Sequence, residues 1–356
     1  MVITSEQESG GGAVPGTDSG MTRRKAVLGV GGMLAGSMLP SLAECAASAA
    51  SQAALTAAPA GPKTLVYLSA KQDLPFWQSI GKGVRAVAIA NGYSYFEMDS
   101  RLSFDVQAQN THAALARGVA GIVVSPVDSQ SAPDVLAIAR KAKVPVAIAD
   151  IGTTGGDYLT YVKSDNYRGG FQLGSELAQA MKERGWQNGG FALVTISLAR
   201  KNGLDRTNGF RDAMKEAGVG QEVALRQMQD YSEQETWRFV KEILESSANL
   251  HGLFIETDQP VRGALRALKE AHRSNEVLMV SFDAMPEVAD LLKNKSLVAV
   301  GMQQPYLMGR RAAEALLANL AHAEVAKQML VPILLGTGKN IEQLLPQVRQ
   351  TVFGQE

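Results

Sequence analysis

The feature that most constrains this chain is an alternation. From Lys63 onward, short apolar runs rich in β-branched residues take turns with longer stretches whose apolar residues recur three or four apart. The runs are TLVYLS, SYFEMD, AGIVVSP, VPVAIAD, FALVTI, EVALRQM, HGLFIET, VLMVSFD and LVAVGMQ. Between them lie Trp77–Asn91, Val106–Arg117, Ala132–Ala142, Gly169–Arg184, Thr207–Ala217, Glu233–Ser246 and Val261–Ala271. Gly92, Gly118, Gly185 and Gly218 are placed to close four of these helices. Strands that are apolar throughout bury both faces, so the pattern predicts an α/β fold with parallel sheets covered by helices on either side. About sixteen such elements in 356 residues exceed one sheet. Two lobes of roughly 120–150 residues are expected.

Charge and cysteine usage narrow the function. Lysine plus arginine equals aspartate plus glutamate at 35 each, so no net field draws the chain to nucleic acid or to an anionic membrane. A single cysteine, Cys45, excludes an internal disulfide and a Cys-rich zinc site. Residues 1–20 are polar and Gly/Ser-rich, with nothing to bury. The pair Arg23-Arg24, a modestly apolar run from Ala26 to Ala43 and the small-residue pattern Ala47-x-Ala49 follow. They predict an export signal of twin-arginine type within residues 1–50, and hence a periplasmic protein. The run is short and glycine-diluted for a membrane span. Glu44 before Cys45 is a poor match to a lipoprotein site. Residues 51–62, rich in Ala and Pro, read as a linker.

In open parallel sheets, ligands sit beyond the carboxyl ends of the strands. The polar residues at those ends are Ser69, Asp73, Asp99, Ser125, Asp150, Thr257, Asp258, Asp283 and Gln303. Helix capping or turn formation accounts for Asp99, Ser125 and Asp258. Asp150 and Asp283 end very apolar runs and read as ligand contacts. Phe76 and Trp77 stand at the mouth of the first loop, where they offer a flat apolar surface. Aromatics with carboxylates either stack on a sugar's C–H face and take its hydroxyls, or form a cage for an organic cation. No enzyme motif stands beside them. His112, His251, His272 and His322 lie far apart without metal-ligand spacing, and Ser197 and Ser281 lack a nucleophile elbow. No cofactor is expected.

The segments SAKQDLPFWQSIGKG, VVSPVDSQ, PVAIAD, VKSDNYRGG, RTNGFRDAM, HGLFIETDQPVRGALRAL, MVSFDAMPE and GMQQPYLMGRRAAEALL occur in that order. Together they resemble the ribose-binding-protein type of periplasmic solute-binding protein, which shares its fold with the effector domains of lactose-repressor-like regulators. The resemblance implies two Rossmann-like lobes joined by three crossovers, near Ser164–Asn166, Gln303–Gln304 and Leu330–Ile333. It implies a first lobe of residues 63–165 with 304–330 and a second of 166–303 with 331–356. Ligand contacts carried over from the family fall on Ser69, Asp73, Phe76, Trp77, Asp150, Tyr231, Thr257, Asp283 and Gln303. Leu204 occupies a further contact position. Where pentose-binding members carry arginines, this chain has Ile151 and Leu204, and Thr257 replaces an asparagine. Each lost charge-assisted contact is worth about 1.5–3 kcal/mol. An acidic and apolar pocket is therefore expected, suited to a less oxygenated or deoxygenated sugar, a polyol or an organic cation. Arg200, Lys201 and Arg206 lie close enough in sequence to compensate. A regulator would need a helix-turn-helix where the export signal is expected. The implied partner is an inner-membrane ABC permease, or alternatively a sensor kinase or chemoreceptor, and such clamps are normally monomers.

Overall fold

The computed structural model describes residues 63–355. The export signal and linker expected over residues 1–62 lie outside the described residues. The strands are β1 (Thr64–Ser69), β2 (Ser94–Asp99), β3 (Gly121–Val124), β4 (Val146–Ala149), β5 (Thr160–Ser164), β6 (Gly190–Thr195), β7 (Gln221–Gln227), β8 (Leu250–Ile255), β9 (Leu278–Phe282), β10 (Ala299–Met302), β11 (Gln328–Val331) and β12 (Leu334–Thr337). They form two six-stranded sheets, β11-β5-β4-β3-β1-β2 and β12-β10-β9-β8-β6-β7. Every neighbouring pair is parallel except β10 with β12. On β1, Leu65 stands opposite Tyr95 of β2 and Gly121 of β3.

Alternation along a strand divides the core. Leu65 and Tyr67 of β1 enter the apolar block on one face of the first sheet, Val66 and Leu68 the block on the other. The second sheet is likewise packed on both faces. β1, β3, β4 and β6 are wholly buried, whereas the edge strands β2 and β7 are part-exposed and carry Glu97, Glu222 and Arg226. Charge on an edge strand discourages pairing with another chain.

Ten helices cover these faces: α1 (Pro75–Ala90), α2 (Phe104–Ala116), α3 (Ala132–Lys141), α4 (Asn166–Glu183), α5 (Lys201–Ala217), α6 (Glu233–Ser246), α7 (Val261–Glu270), α8 (Val288–Lys293), α9 (Pro305–Leu320) and α10 (Ile341–Gln347). The four glycines expected to close helices all have left-handed φ, between 62° and 73°.

The chain passes between the sheets three times: from β5 into α4, from β10 into α9, and from β11 to β12. After each of the first two crossings, the new helix packs backbone to backbone on the first helix of its lobe. A Cβ on Gly309 of α9 would strike the carbonyl oxygen of Ile80 and sit 2.9 Å from its carbon. A Cβ on Gly170 of α4 would strike the carbonyl oxygen of Arg206 and sit 2.9 Å from its carbon. Only glycine allows so close an approach. The arrangement fixes α1 and α5, whose amino-terminal ends face the cleft.

Candidate functional site

The cleft between the sheets is lined by side chains that follow the carboxyl ends of strands in both lobes. It encloses about 570 Å³, including the part open to solvent, within the range of small-molecule sites. From the first lobe come Leu74, Phe76 and Trp77 after β1, Leu102 after β2 and Asp150 after β4. The second lobe presents Arg200, Asn202 and Arg206 after β6, Tyr231 after β7, Thr257 and Asp258 after β8 and Asp283 after β9.

Backbone conformation marks the same place. Nine non-glycine residues have positive φ. Lys143, His272, Lys295 and His322 follow helix ends, where the left-handed conformation is ordinary. Of the five left, Leu102, Asp150, Tyr231 and Asp283 all line the cleft. Strain held at strand ends around one cavity is a signature of a functional site.

Each strained residue is held by its neighbours. The N–H of Asp150 donates to Val162 O at 3.0 Å, and the Tyr161 hydroxyl donates to Asp150 O at 2.8 Å. The N–H of Asp283 donates to Gly301 O at 2.9 Å. Ser232 caps α6, and the buried Glu235 carboxylate three residues on accepts the N–H groups of Gln229, Asp230 and Tyr231. This is the S-x-x-E capping arrangement, and it aims Tyr231 at the cleft.

Arg206 is the electrostatic hub and is only 2% exposed. Its guanidinium donates to Asn166 Oδ1 and to Glu256 O, both at 2.8 Å, lies 3.6 Å from an Asp283 carboxylate oxygen, and sits 3.9 Å over the Phe282 ring. Burial pushes the Asp150 carboxyl up to about 6, against the pull of Arg206, Arg200 and Asn202. Burial likewise pushes Asp283 up to about 7, with Arg206 opposing, and Glu256 up to about 8, with its Thr207 hydrogen bond opposing. Asn202 donates to Asp150 Oδ1 at 3.5 Å across the cleft, from the second lobe to the first.

Phe76 and Trp77 meet edge to face at 5.4 Å and 76°. The Trp77 indole N–H is buried without a hydrogen-bond partner among the described residues. Arg200 is 7% exposed, with its guanidinium 5.4 Å from the Tyr231 ring centroid. Among the described residues no carboxylate lies within salt-bridge distance of it. A buried donor such as the Trp77 indole N–H calls for an acceptor.

The structure thus brings Phe76, Trp77, Asp150, Tyr231, Thr257 and Asp283 around one cavity. It does not place Ser69, Asp73, Leu204 or Gln303 in that lining. Ser69 is fully buried at the end of β1. Asp73 is exposed, and its neighbour Leu74 turns inward instead. Leu204, 42% exposed, projects to solvent from α5. Gln303 stands behind Asp283, donating to its carboxylate at 2.9 Å, and lines a smaller adjoining void. The expectation of an acidic and apolar pocket is modified: of the three basic residues close enough in sequence to compensate, Arg200 and Arg206 both line the cleft. Arg200 enters from the residue that caps α5, one helical turn before Leu204. Leu74, Leu102 and Asn202 went unrecognised in the sequence. An aliphatic residue before Pro75, and an asparagine opening a helix, carry no ligand signal by type.

Residues 65–324 match the periplasmic binding protein domain family, and the chain belongs to it. The ribose import binding protein RbsB of Salmonella typhimurium is 26% identical over 77% of this chain and 90% of its own length. The D-apiose import binding protein of Paraburkholderia graminis is 25% identical over 70% of this chain and 78% of its own. A carbohydrate transporter solute binding protein from Agrobacterium radiobacter, solved with D-arabinose, superposes with a TM-score of 0.75 at 22% identity. That match covers 81% of this chain and 98% of the other.

Proposed function

We propose that the protein is the solute-binding component of an ABC importer, clamping a small sugar or polyol between its lobes and delivering it to an inner-membrane permease. The observation that carries this is the pairing of the Phe76–Trp77 surface on one lobe with Arg200, Asn202 and Asp283 on the other. An apolar platform facing polar groups suits a ring with C–H faces and a hydroxylated edge. Relatives that import ribose and apiose support the same assignment, and support transport over a sensory role. Two arginines in the cleft weigh against an organic cation.

Residues 63–165 with 304–330 move as one body in this proposal, and 166–303 with 331–356 as the other. The site residues are Phe76, Trp77, Asp150, Tyr231, Thr257 and Asp283, joined by Leu74, Arg200, Asn202 and Arg206. Export to the periplasm places the clamp beside its permease, and no catalytic step is assigned. The test is a melting screen of residues 51–356 against neutral sugars, polyols and small amines, followed by calorimetry. A ligand at a hundred times its Kd adds about 2.7 kcal/mol of stability. Hits among sugars or polyols are expected, and hits confined to amines would overturn the assignment.

A further inference from the structure

The two walls of the cleft differ in chemistry. The first-lobe wall consists of Leu74, Phe76, Trp77, Leu102 and Asp150, with Asp150 its one charged member. Most polar side chains belong to the second lobe, from Arg200 to Asp283. Aromatics alone are explained by stacking on a sugar face. Leu74 and Leu102 are not, because aliphatic side chains have no π-face to offer.

Both leucines occupy positions where leucine is locally unfavourable. Leu74 is the N-cap of α1, and that helix has no side-chain cap. Ser, Thr, Asp or Asn is preferred there because its oxygen accepts a free helix N–H. Leu102 has a φ of 55°, a conformation disfavoured for a bulky residue and adopted most readily by glycine, asparagine and aspartate. Both leucines also rest on the apolar block of the first lobe, and each carries that block to the wall of the cleft at a local conformational cost. Departures from local rules that converge on one wall of a cavity point to function.

We propose that the cleft selects a neutral sugar lacking a hydroxyl on the edge that faces the first lobe, a methyl-bearing 6-deoxy sugar in particular, with Leu74 and Leu102 against the methyl-bearing edge and Arg200 donating to the oxygenated edge. This rests on the sugar-binding function proposed above and specifies its ligand class. A primary alcohol set against two leucines finds no partner there. Leaving a buried hydroxyl unpaired corresponds to roughly a five- to hundredfold loss of affinity. A methyl group in the same place is held by burial alone.

The experiment is calorimetry with pairs that differ only at one carbon: L-rhamnose and L-mannose, L-fucose and L-galactose, 6-deoxy-D-glucose and D-glucose. In at least one pair the deoxy member is expected to bind tenfold tighter or more. The Leu74→Asn/Leu102→Asn double variant gains a cap and relieves strain while giving up apolar packing on the first-lobe core, so its melting temperature is expected to stay close to that of the parent. Its preference for the deoxy member should fall below threefold. Arg200→Gln should weaken both members of the preferred pair alike.

Sugars that bind with no preference for the deoxy form overturn this inference and leave the sugar assignment standing. If none of the six binds at millimolar concentration while another sugar or polyol does, this inference alone falls; if only amines bind, the sugar assignment falls with it. A double variant that melts lower and keeps its preference shows the leucines to be structural, and overturns their role.

Discussion

The close packing of α4 on α5 makes Gly170 the most informative residue to change. An alanine there sets its Cβ against the Arg206 carbonyl oxygen, 2.9 Å from the carbonyl carbon and 3.0 Å from Cα, where ordinary contact begins at 3.4 Å. The helices must part by at least about 0.5 Å. Overpacking of this kind costs about 1–3 kcal/mol, while alanine returns about 0.5–1 kcal/mol of helix propensity. The collision wins, and a fall in Tm of roughly 2–8 °C follows for a lobe of this size. Affinity should suffer as well. The same displacement stretches the 2.8 Å bonds that hold Arg206 to Asn166 and Glu256, and so disturbs the charge facing Asp283. Gly83→Ala is the control: its Cβ would strike the Tyr306 carbonyl oxygen and lie 2.9 Å from Arg310 N, on the other lobe. Thermal melting and calorimetry with the best solute from the screen should show comparable losses in Tm. Gly170→Ala should bind about tenfold more weakly and Gly83→Ala within twofold of the parent. Equal affinity in both variants would refute the link from helix packing to Arg206.

Three further outcomes follow from the same geometry. Asp150, Asp283 and Glu256 are raised by burial to about 6, 7 and 8. The folded protein therefore holds their protons more tightly than the unfolded chain does, with its carboxyls near 4. Their contribution is complete below about pH 4 and is lost as pH rises through 6 to 8. The Tm of the ligand-free protein should fall across that window, and Glu256→Gln should flatten its upper end; a Tm that climbs with pH would contradict this. Arg206→Leu takes the buried counter-cation from Asp283 and the donor from the Glu256 carbonyl, and urea unfolding should register a loss of about 3–5 kcal/mol. Trp77→Phe keeps the ring surface and removes an N–H that has no protein partner. Tm should stay level while affinity drops about tenfold, the weight of one hydrogen bond to a ligand.

What was legible in the sequence was whatever a few neighbouring residues decide. The nine runs all became strands: in the inner ones burial on both faces leaves a continuous apolar signature, while β2 and β7 are part-exposed edges recognised by their β-branched and aromatic residues. β5, β11 and β12 left no such mark. Gln328–Val331 is four residues long and part-exposed, and it is a strand because it pairs with Thr160–Ser164, far back in the chain. At the site, Asp150 and Asp283 stood out as carboxylates ending apolar runs. Arg200 did not, because its direction depends on the turn that opens α5. Family spacing pointed to Leu204, yet the helix sends that residue outward and the residue one turn earlier inward. Asp73 and Leu74 differ by one position, and the extended φ and ψ of Leu74 turn it toward the cavity.

Side chains at the cleft are hydrogen-bonded to residues of the crossovers. Arg206 donates to Asn166, the first residue of α4 beyond the first crossover. Asp283 accepts from Gln303 in the second. The adjoining Gln304 donates to Pro332 O in the third at 2.8 Å. Two cleft residues, Arg206 and Asp283, are thus bonded to residues of the first two crossovers, and the second is bonded to the third. On the other lobe Asp150 accepts from Asn202 across the cleft and feels the charge of both arginines. A solute touching both walls favours the closed form by the contacts it would lose on opening, and by no more than that. Arg206 is committed to Asn166, the Glu256 carbonyl and Asp283. In the proposed clamp that leaves Arg200, six residues earlier and without a carboxylate partner among the described residues, as the arginine available to the solute.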